Sequence, residues 1–416
     1  MTKQILLNLA SFIAWRIAFN KNVSFSRFII RLAIIATCIS VAVMIVTFAL
    51  TSGFQTTISG KIFSFWGHLR VQEYLGNKVT LAEETPIEKN DTVEQVIRAN
   101  PEVKTLQAFA TKNAILKTDQ AVEGVLFKAV EKDYDFSNLS GFLKSGTWLS
   151  FPDSGYSDQV VLSEFTAGQL NLKLNDRVLI YFVQTNGSPP RPRKLTIAGL
   201  YRSGIEEYDK LIAFCDLRLI QRLNDWRANE IGGYEVFLKD YRRMDSLAEN
   251  ISSQLPLIWN VQTSKELYPN IFDWLNLQNQ TVLLVIIVMI IVAILNLITC
   301  LMILVLERIK MIGVMKAIGA PDSSIQGIFL YHGAIITIVG ILAGDVAAIL
   351  LCWLQQKYEL IPLPEEAYYI STAAVNLEWW HIVAVNLGTF LVCFLTLRIP
   401  TLIIKRVQPV RAIQFR

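Results

Sequence analysis

The side chains that most often carry catalysis are scattered along this chain. Its 3 histidines, His68, His332 and His381, lie far apart, so none of them pairs at metal-ligand spacing. The sequence contains no H-E-x-x-H, C-x-x-C or G-x-S-x-G motif, the patterns of a zinc site, a redox pair and a nucleophilic serine. It also contains no G-x-x-x-x-G-K-[ST] motif, whose backbone amides would cradle phosphates. We therefore expect a non-catalytic chain without a metal or cofactor of its own.

One segment has a pattern suited to mechanical work. In Glu307–Gly333 (ERIKMIGVMKAIGAPDSSIQGIFLYHG) a charged start is followed by a short predicted helix carrying Lys310 and Lys316. Gly319, Ala320 and Pro321 end that helix, and Asp322 begins a group of residues that can cap the next one. A short helix held between two apolar helices would act as a lever for a soluble partner. A plain connecting loop is the alternative.

Composition and apolar runs predict a membrane protein. Of the 416 residues 52% are hydrophobic and 18% are charged, against about 25% charged in soluble domains. Long apolar segments predict transmembrane helices at 28–52, 281–306, 325–354 and 381–404. The segments outside these helices are 1–27, 53–280, 307–324, 355–380 and 405–416.

Charge predicts the orientation of these helices. Residues 53–280 hold 25 Lys/Arg and 28 Asp/Glu, whereas 1–27, 307–324 and 405–416 are basic and 355–380 is acidic. Because basic loops stay inside, both termini are expected in the cytoplasm, with 1–27 an interfacial segment. The predicted fold class is an α-helical membrane protein with four transmembrane helices and a large external α+β domain inserted between the first and second helices.

The external domain shows mixed strand and helix patterns. Predicted strands cover 68–75, 106–117, 121–130, 178–183 and 194–201. Predicted helices cover 92–99, 163–170, 216–226, 241–254 and 264–277. The proline-rich stretch 184–193 (QTNGSPPRPR) joins two of these strands. It is either an ordinary hairpin connection or a projecting recognition loop.

A few polar and small residues stand out within the predicted transmembrane helices. Asn296 is expected to hydrogen-bond across helices, and Gly340 with Gly344 forms a G-x-x-x-G pair that lets another helix approach closely. Asp345 is the one acidic residue within these segments. It is either a relay or substrate contact, or a polar group satisfied by a neighbouring helix or interfacial water.

The segment from Glu307 resembles a known signature. Permeases of the FtsX and MacB type carry E-R/K-x-x-E-I-G-x-x-K-A-x-G-A, matched here by Glu307-Arg308, Ile312-Gly313 and Lys316-Ala317-Ile318-Gly319-Ala320, with Met311 where the family commonly has Glu. The amino-terminal stretch through Ser52-Gly53-Phe54, and the tail PVRAIQF, are similar to lipoprotein-releasing permeases of the LolC/LolE type within that superfamily.

This resemblance implies a MacB-like periplasmic domain at 53–280 and an FtsX-like permease region at 281–409. It implies an ABC transporter permease of the bacterial inner membrane that extracts lipoproteins and passes them to a periplasmic lipoprotein carrier. The implied partners are a second permease subunit, identical or homologous, and two copies of a separate ATPase that binds ATP and Mg²⁺. A signalling subunit of FtsX type that controls cell-wall hydrolases and a MacB-like efflux permease are the alternatives.

The implied sites fall in three places. ATPase coupling is expected at Glu307, Arg308, Lys310, Ile312, Gly313, Lys316, Gly319 and Ala320. A shelter for acyl chains is expected at Met44, Val46, Phe48 and Leu50. Lipid contact or dimer packing would require the same apolar side chains. Carrier binding is expected at Gly187, Pro189, Pro190, Arg191 and Arg193.

Overall fold

The computed structural model of the protein describes residues 25–73, 85–184 and 188–397. Predictions made for Gly187, for most of 1–27 and for the tail 405–416 lie outside these residues. The described chain forms two compact units. The helical unit comprises 25–56, 274–362 and 372–397, and the α/β unit comprises the described parts of 57–273 together with 363–371.

The regular elements are numbered along the chain. The α-helices are α1 (Phe25–Trp66), α2 (Asp91–Arg98), α3 (Glu164–Gln169), α4 (Glu206–Leu211), α5 (Leu217–Asn224), α6 (Met244–Gln254), α7 (Ser264–Leu267), α8 (Pro269–Glu307), α9 (Ile309–Ala317), α10 (Asp322–Tyr358), α11 (Glu365–Tyr368) and α12 (Trp379–Thr396). The strands are β1 (Leu69–Glu73), β2 (Ile87–Glu88), β3 (Val103–Lys117), β4 (Val122–Val130), β5 (Leu143–Gly146), β6 (Gln159–Ser163), β7 (Arg177–Phe182), β8 (Arg191–Tyr201), β9 (Ile212–Asp216), β10 (Glu230–Ile231), β11 (Gly233–Leu238) and β12 (Trp259–Thr263). Short 3₁₀ helices cover Phe136–Phe142 and Tyr241–Arg243.

Four helices of the described chain, α1, α8, α10 and α12, are long and apolar enough to cross a membrane. Two of them extend well beyond the apolar runs predicted from the sequence. No proline interrupts α1 after the apolar run, and it ends only where Gly67 adopts φ +69° and donates its amide to the Phe63 carbonyl at 2.8 Å. The helix predicted over 264–277 is divided: α7 ends at Leu267, and Pro269 starts α8 as a proline at a first helical position.

Packing inside the helical unit falls into two apolar clusters. The first joins α1, α8, α9, α10 and α12 through buried residues that include Ala33, Leu301, Ile312, Phe329 and Cys393. The second joins α1, α10 and α12 through Val41, Met44, Ile45, Ile341, Ala348 and Val385. Each helix therefore keeps one packed face, while many large apolar side chains on its other face stay exposed, as lipid-facing residues do.

The α/β unit is built on one mixed sheet. Among the described residues its strands run in the order β12-β1-β11-β3-β4-β9-β6-β8-β5, and β7 pairs with β3 and β8. Strands β4 with β9, and β6 with β8, are parallel, whereas the other pairs in this sheet are antiparallel. β8 alternates buried and less buried positions from Leu195 to Tyr201, the period-two pattern of a strand with one face on the core.

The end of α1 lies in the core of the α/β unit. The ring of Phe65 packs within 6 Å of the rings of Phe142, Tyr201, Tyr208 and Phe214. Lys128 of β4 donates its ammonium to the Phe65 carbonyl and lies 2.7 Å from the Glu235 carboxylate, and both charged side chains are 0% exposed. The last carbonyls of a helix carry partial negative charge, so a buried lysine fixes this helix end to the sheet.

Candidate functional site

The segment that follows α8 folds into a short helix between two tight turns. At the first turn Arg308 leaves helical geometry with φ −99° and ψ 14°. At the second turn Gly319 has φ +88°, and Ala320 donates its amide to the Met315 carbonyl at 3.0 Å. A positive φ is costly for residues with a Cβ, so Gly319 permits the reversal that leads into α10. The helix predicted from the sequence is α9.

One face of α9 is buried in its own unit. Ile312 is 0% exposed and Gly313 is buried, and the first apolar cluster surrounds them. Met311, Met315 and Ala320 pack partly buried against the same cluster. Met311 is therefore an apolar packing residue at the position where the family signature has Glu. Ile312 and Gly313, which the sequence analysis placed among the coupling residues, hold α9 in place from within.

The opposite face of α9 is exposed and largely apolar. Val314 is 52% exposed and Ile318 is 79% exposed, and Lys310 is exposed on the same side. Positions 310, 314 and 318 recur every four residues and so share one helix face. We call Lys310, Val314 and Ile318 the α9 outer face. Glu307 and Gly319 are also exposed, and Arg308 is half-buried.

The sequence analysis did not single out Val314 and Ile318, because the family signature leaves both positions free. The four-residue spacing from Lys310 was the signal that could have found them.

Lys316 is paired within the chain. Its ammonium lies 2.9 Å from the Asp322 carboxylate, and its side chain is only 11% exposed. Lys316 belongs to α9 and Asp322 is the first residue of α10. The ion pair therefore spans the turn at Gly319 and ties α9 to α10, so the charge of Lys316 acts first on its own chain.

The predicted acyl shelter divides between two faces of α1. Met44 is 1% exposed and lies within the second apolar cluster. Phe48 is half-buried and stacks on His381, with ring centroids 5.3 Å apart. Val46 and Leu50 are half-buried and lie on a different side of the helix, since residues three or four apart share a face.

An exposed apolar stripe runs along that other side of α1. Its members are Phe28, Leu32, Ile35, Ile39 and Val43, which are exposed by 65%, 52%, 55%, 54% and 37%. The spacing of three or four residues continues to Val46 and then to Leu50. We call these seven residues the α1 stripe. It offers a continuous apolar surface, whereas Met44 is already occupied by helix packing.

The predicted carrier loop follows β7 and leads into β8. Pro189 and Pro190 are exposed. Arg191 donates to the Leu223 carbonyl at 2.7 Å and to the Asp225 carboxylate at 2.8 Å, and this guanidinium holds the pKa of Asp225 below its ordinary value. Arg193 donates to the Pro192 carbonyl at 2.8 Å. Arg191 therefore anchors the hairpin to the end of α5, and the two prolines form its open part.

Three helix contacts are close. Asn296 donates its amide to the Ala33 carbonyl at 3.2 Å. A Cβ on Gly340 would lie 2.7 Å from the Thr37 Cβ, and a Cβ on Gly344 would lie 2.8 Å from the Val41 Cβ. The small residues of α10 thus allow α1 to approach its backbone.

Asp345 meets a polar neighbour on another helix. The Asn386 amide donates to the Asp345 carboxylate at 2.8 Å, which joins α10 to α12. This is the structural alternative considered for Asp345 in the sequence, a polar group satisfied by an adjacent helix.

Gly53 is a further close contact. A Cβ there would lie 2.2 Å from the Ala374 carbonyl oxygen. The neighbouring Asn376 donates its amide N–H to the Ala49 carbonyl at 2.9 Å and its side-chain amide to the Ser52 hydroxyl at 3.2 Å. These contacts leave no room for a side chain at position 53, so a glycine is required there.

Comparison with known proteins agrees with the resemblance seen in the sequence. Residues 283–409 match the FtsX-like permease C-terminal family, and residues 32–254 match the MacB-like periplasmic core domain. The lipoprotein-releasing system transmembrane protein LolC of Xylella fastidiosa (strain 9a5c) is 22% identical over 404 residues, which cover 94% of this chain and 95% of that protein. The corresponding protein LolE of Haemophilus influenzae is 21% identical over 422 residues, which cover 98% of this chain and 99% of that protein.

Among solved structures, the periplasmic region of MacB from Actinobacillus actinomycetemcomitans aligns with 49% of this chain and 91% of that chain, at 15% identity and a TM-score of 0.33. That score is too low to support comparison of individual residues. The two family matches are sequence matches. Together they cover residues 32–254 and 283–409. The chain therefore belongs to the FtsX-like permeases that carry a MacB-like periplasmic core domain.

Proposed function

We propose that this chain is a permease subunit of an ABC transporter that extracts lipoproteins from the bacterial inner membrane and hands them to a periplasmic lipoprotein carrier. The observation that carries this proposal is end-to-end similarity, over 94% and 98% of the chain, to proteins named as lipoprotein-releasing permeases. The relatives' names supply the substrate class, and the features of the chain described below fit the task.

Extraction of a lipoprotein requires work. Each methylene that leaves the bilayer costs about 0.8 kcal/mol, so three acyl chains cost on the order of tens of kcal/mol. The sequence contains no phosphate-cradling loop of its own. A separate ATPase, which binds ATP and Mg²⁺, supplies this energy, and the permease converts its movement into transfer.

The four apolar helices cross the membrane with both termini in the cytoplasm. This orientation rests on the basic residues around α9 and on the acidic residues between α10 and α12. The α/β unit then lies in the periplasm, where a carrier can reach it. A second permease subunit, identical or homologous, completes the transporter.

The α9 outer face is the docking surface for the ATPase. Exposed apolar side chains beside a lysine are what a soluble partner covers when it binds. The buried face of α9 fixes it to the first apolar cluster, and the Lys316–Asp322 pair ties it to α10. Force applied to α9 is therefore passed to several helices together.

The α1 stripe is the surface on which acyl chains rest. It is apolar, and its residues from Phe28 to Val43 are exposed. At its far end Leu50 is half-buried and Val46 packs partly buried against the second apolar cluster. On the other side of α1, Met44 packs in the cluster shared with α10 and α12, and Phe48 stacks on His381 of α12. On the α/β unit, the exposed Pro189-Pro190 part of the β7–β8 hairpin contacts the carrier.

Reconstitution tests the proposal directly. The permease, its ATPase and an acylated lipoprotein are placed in proteoliposomes with soluble carrier outside, and lipoprotein recovered on the carrier is measured with ATP and with Mg²⁺ chelated. We expect transfer only with ATP and Mg²⁺. An intact, ATP-hydrolysing complex that transfers no lipoprotein would refute the proposal, and specific copurification of a cell-wall amidase would favour the signalling alternative.

A proline variant and a matched control test whether the β7–β8 hairpin contacts the carrier. Replacing Pro189 and Pro190 by glycine should lower transfer several-fold while lipoprotein binding to the permease is unchanged. The matched control is Ser154→Gly, on another exposed turn of the α/β unit. Equal loss of transfer in the control, or normal transfer in the proline variant, would remove this hairpin from the mechanism.

A further inference from the structure

The connection between α10 and α12 is partly built into the α/β unit. Residues 363–371, which include α11, cluster with that unit although α10 and α12 themselves belong to the helical unit. We call residues 363–371 the clamp. Its two ends are held together, because Leu363 donates its amide to the Ser371 carbonyl at 2.9 Å. The clamp is thus a closed loop and not an open strand of chain.

An ion pair joins the clamp to the α/β unit. The guanidinium of Arg202, the residue after β8, hydrogen-bonds to the carboxylate of Glu365 in α11. The side chain of Glu365 is only 29% exposed. Charge-assisted hydrogen bonds of this kind are the stronger ones in proteins. Arg202 is itself fixed by the sheet, since its amide donates to the Phe142 carbonyl at 2.9 Å.

A lysine from α1 makes the second attachment. The ammonium of Lys61 donates to the Tyr369 carbonyl at 2.7 Å. Gly204 makes room for this contact: it has φ +74°, and a Cβ on it would lie 2.7 Å from the Lys61 Nζ. The carboxylate of Asp209 accepts the amides of Ser203 and Gly204 at 2.8 and 3.1 Å and so fixes the turn that carries this glycine.

Tyr369 also faces the acidic end of α4. Burial raises the pKa of its hydroxyl, and the charge of Glu207 together with a hydrogen bond to that carboxylate raises it further. The clamp therefore meets three elements of the α/β unit: α1, the turn after β8, and α4.

Short stretches of chain connect the clamp to the transmembrane helices. α10 ends at Tyr358 and α12 begins at Trp379, so 359–362 and 372–378 are the links. An extended chain covers about 3.5 Å per residue, so links of four and seven residues reach at most about 14 Å and about 25 Å. The bridge between Pro362 and Thr372 and the hydrogen bond from the Ala373 amide to the Ile361 carbonyl at 3.0 Å shorten them further.

We infer that the clamp passes movements of α10 and α12 to the α/β unit, and that Arg202 and Lys61 are positioning residues for lipoprotein transfer because they hold the clamp. This inference rests on the proposed function for its link to transfer, but the movement itself can be measured without any lipoprotein.

Charge reversal tests the clamp in the assembled complex of permease and ATPase. The variants are Arg202→Glu, Glu365→Arg and the double exchange of both residues. The matched control is Lys132→Glu, which breaks the exposed Lys132–Asp153 pair on the same unit. We expect each single reversal to lower lipoprotein released per ATP hydrolysed at least threefold with ATPase activity retained, and the double exchange to restore at least half of the lost release.

Movement is read separately from transfer. Spin labels at Asp119→Cys on the α/β unit and Gly388→Cys on α12, in a background with Cys38→Ser, report the distance between the units with and without ATP. We expect an ATP-dependent change that Arg202→Glu abolishes and the control Lys132→Glu keeps. Unchanged movement in Arg202→Glu, or a single reversal that leaves release per ATP at the wild-type value, would overturn the inference.

The two proposals fail in different ways. If the wild-type complex moves but transfers no lipoprotein, the proposed function is wrong and the clamp stands. If wild-type transfer occurs and neither reversal changes movement, the clamp is wrong and the proposed function stands. Two variants at Lys61 test whether the hydrogen bond to Tyr369 or the positive charge is needed. Lys61→Gln keeps a side-chain donor, so it should show the movement and the transfer of the wild type. Lys61→Leu has no donor and should behave as Arg202→Glu.

Discussion

The ammonium of Lys316 lies 2.9 Å from the carboxylate of Asp322, across the turn that separates α9 from α10. One of these residues stands in the family signature, and the other is the first residue of the next apolar helix. A lysine that looks like a contact for a partner is thus a tie between two helices of one chain. The ion pair therefore joins α9 to α10 directly.

Breaking this tie should uncouple the transporter. Lys316→Met keeps most of the apolar stem but removes the charge, so α9 should still dock the ATPase while α10 follows it less closely. We expect ATP hydrolysis within about twofold of wild type and a several-fold loss of lipoprotein release per ATP. Both rates are measured on the reconstituted complex. Asp322→Asn should give the same result, and full release in both variants would contradict the assignment.

The α9 outer face should govern ATPase binding. Ile318→Asp places a charge at a 79% exposed apolar position, so the permease should fold normally but bind its ATPase at least tenfold more weakly, a change of about 1.4 kcal/mol. Binding is measured by titrating purified ATPase onto permease in detergent. The matched control is Val122→Asp, a 58% exposed apolar residue on the α/β unit. Equal affinity in Ile318→Asp and wild type would exclude this face.

His68 should make the α/β unit sensitive to acid. Burial lowers its pKa to about 4, with a contribution from Lys104, and its Nδ1 accepts the Leu238 amide at 3.1 Å. Between pH 6.5 and about 4, His68 is protonated in the unfolded chain but still neutral in the folded chain. The free energy of unfolding therefore has its full value above pH 6.5 and decreases as the pH falls through this window. The loss amounts to roughly 3 kcal/mol at most.

This loss is measured by hydrogen exchange of the β1 and β11 amides in the full-length protein. Exchange rates are compared between pH 7 and pH 4.5 after correction for the intrinsic rate. His68→Gln retains an acceptor for the Leu238 amide but does not titrate here, so it should flatten the pH dependence. A slope as steep as that of wild type would mean that another group is responsible.

The buried pair of Lys128 and Glu235 should be costly to break. Lys128→Met leaves the 0% exposed Glu235 carboxylate without its ammonium partner and should destabilise the α/β unit by about 3–5 kcal/mol. Burial raises the pKa of Glu235, and Lys128 opposes this rise. The stability that the variant loses relative to wild type should therefore be smallest at acidic pH, where Glu235 is protonated, and should grow as the pH rises. The double variant with Glu235→Leu should recover most of the loss, as judged by thermal unfolding in detergent.

A similar loss in Lys128→Met and in the exposed-pair variant Lys132→Glu would argue against a special role for the buried pair. The Phe65 carbonyl gives a second test, because it also loses its donor in Lys128→Met. Amide exchange in the last turn of α1 should then rise, whereas it should be unchanged in Lys132→Glu.

Much of the α/β unit was predictable from local sequence signals. The predicted helix over 92–99 is α2, where the Asn90 side chain accepts the Thr92 and Val93 amides at 3.0 and 3.2 Å. The predicted strand over 178–183 is β7, whose alternating apolar residues point to the core. Such signals lie within a few residues of each other, so the sequence alone contains them. The order of the strands depends on pairings far apart in the chain, and only the folded structure shows it.

The proposed coupling site divides in the same way. The sequence by itself determined four long apolar segments, a short helix after the second of them, and the family signature that runs through it, because period and composition are local properties. The tertiary structure alone decided which side of α9 is buried at Ile312 and which is exposed at Ile318, since that depends on where the other helices pack. It also decided that Lys316 pairs with Asp322 and that Glu365 reaches Arg202, because a charge finds its partner only once the chain has brought the two together.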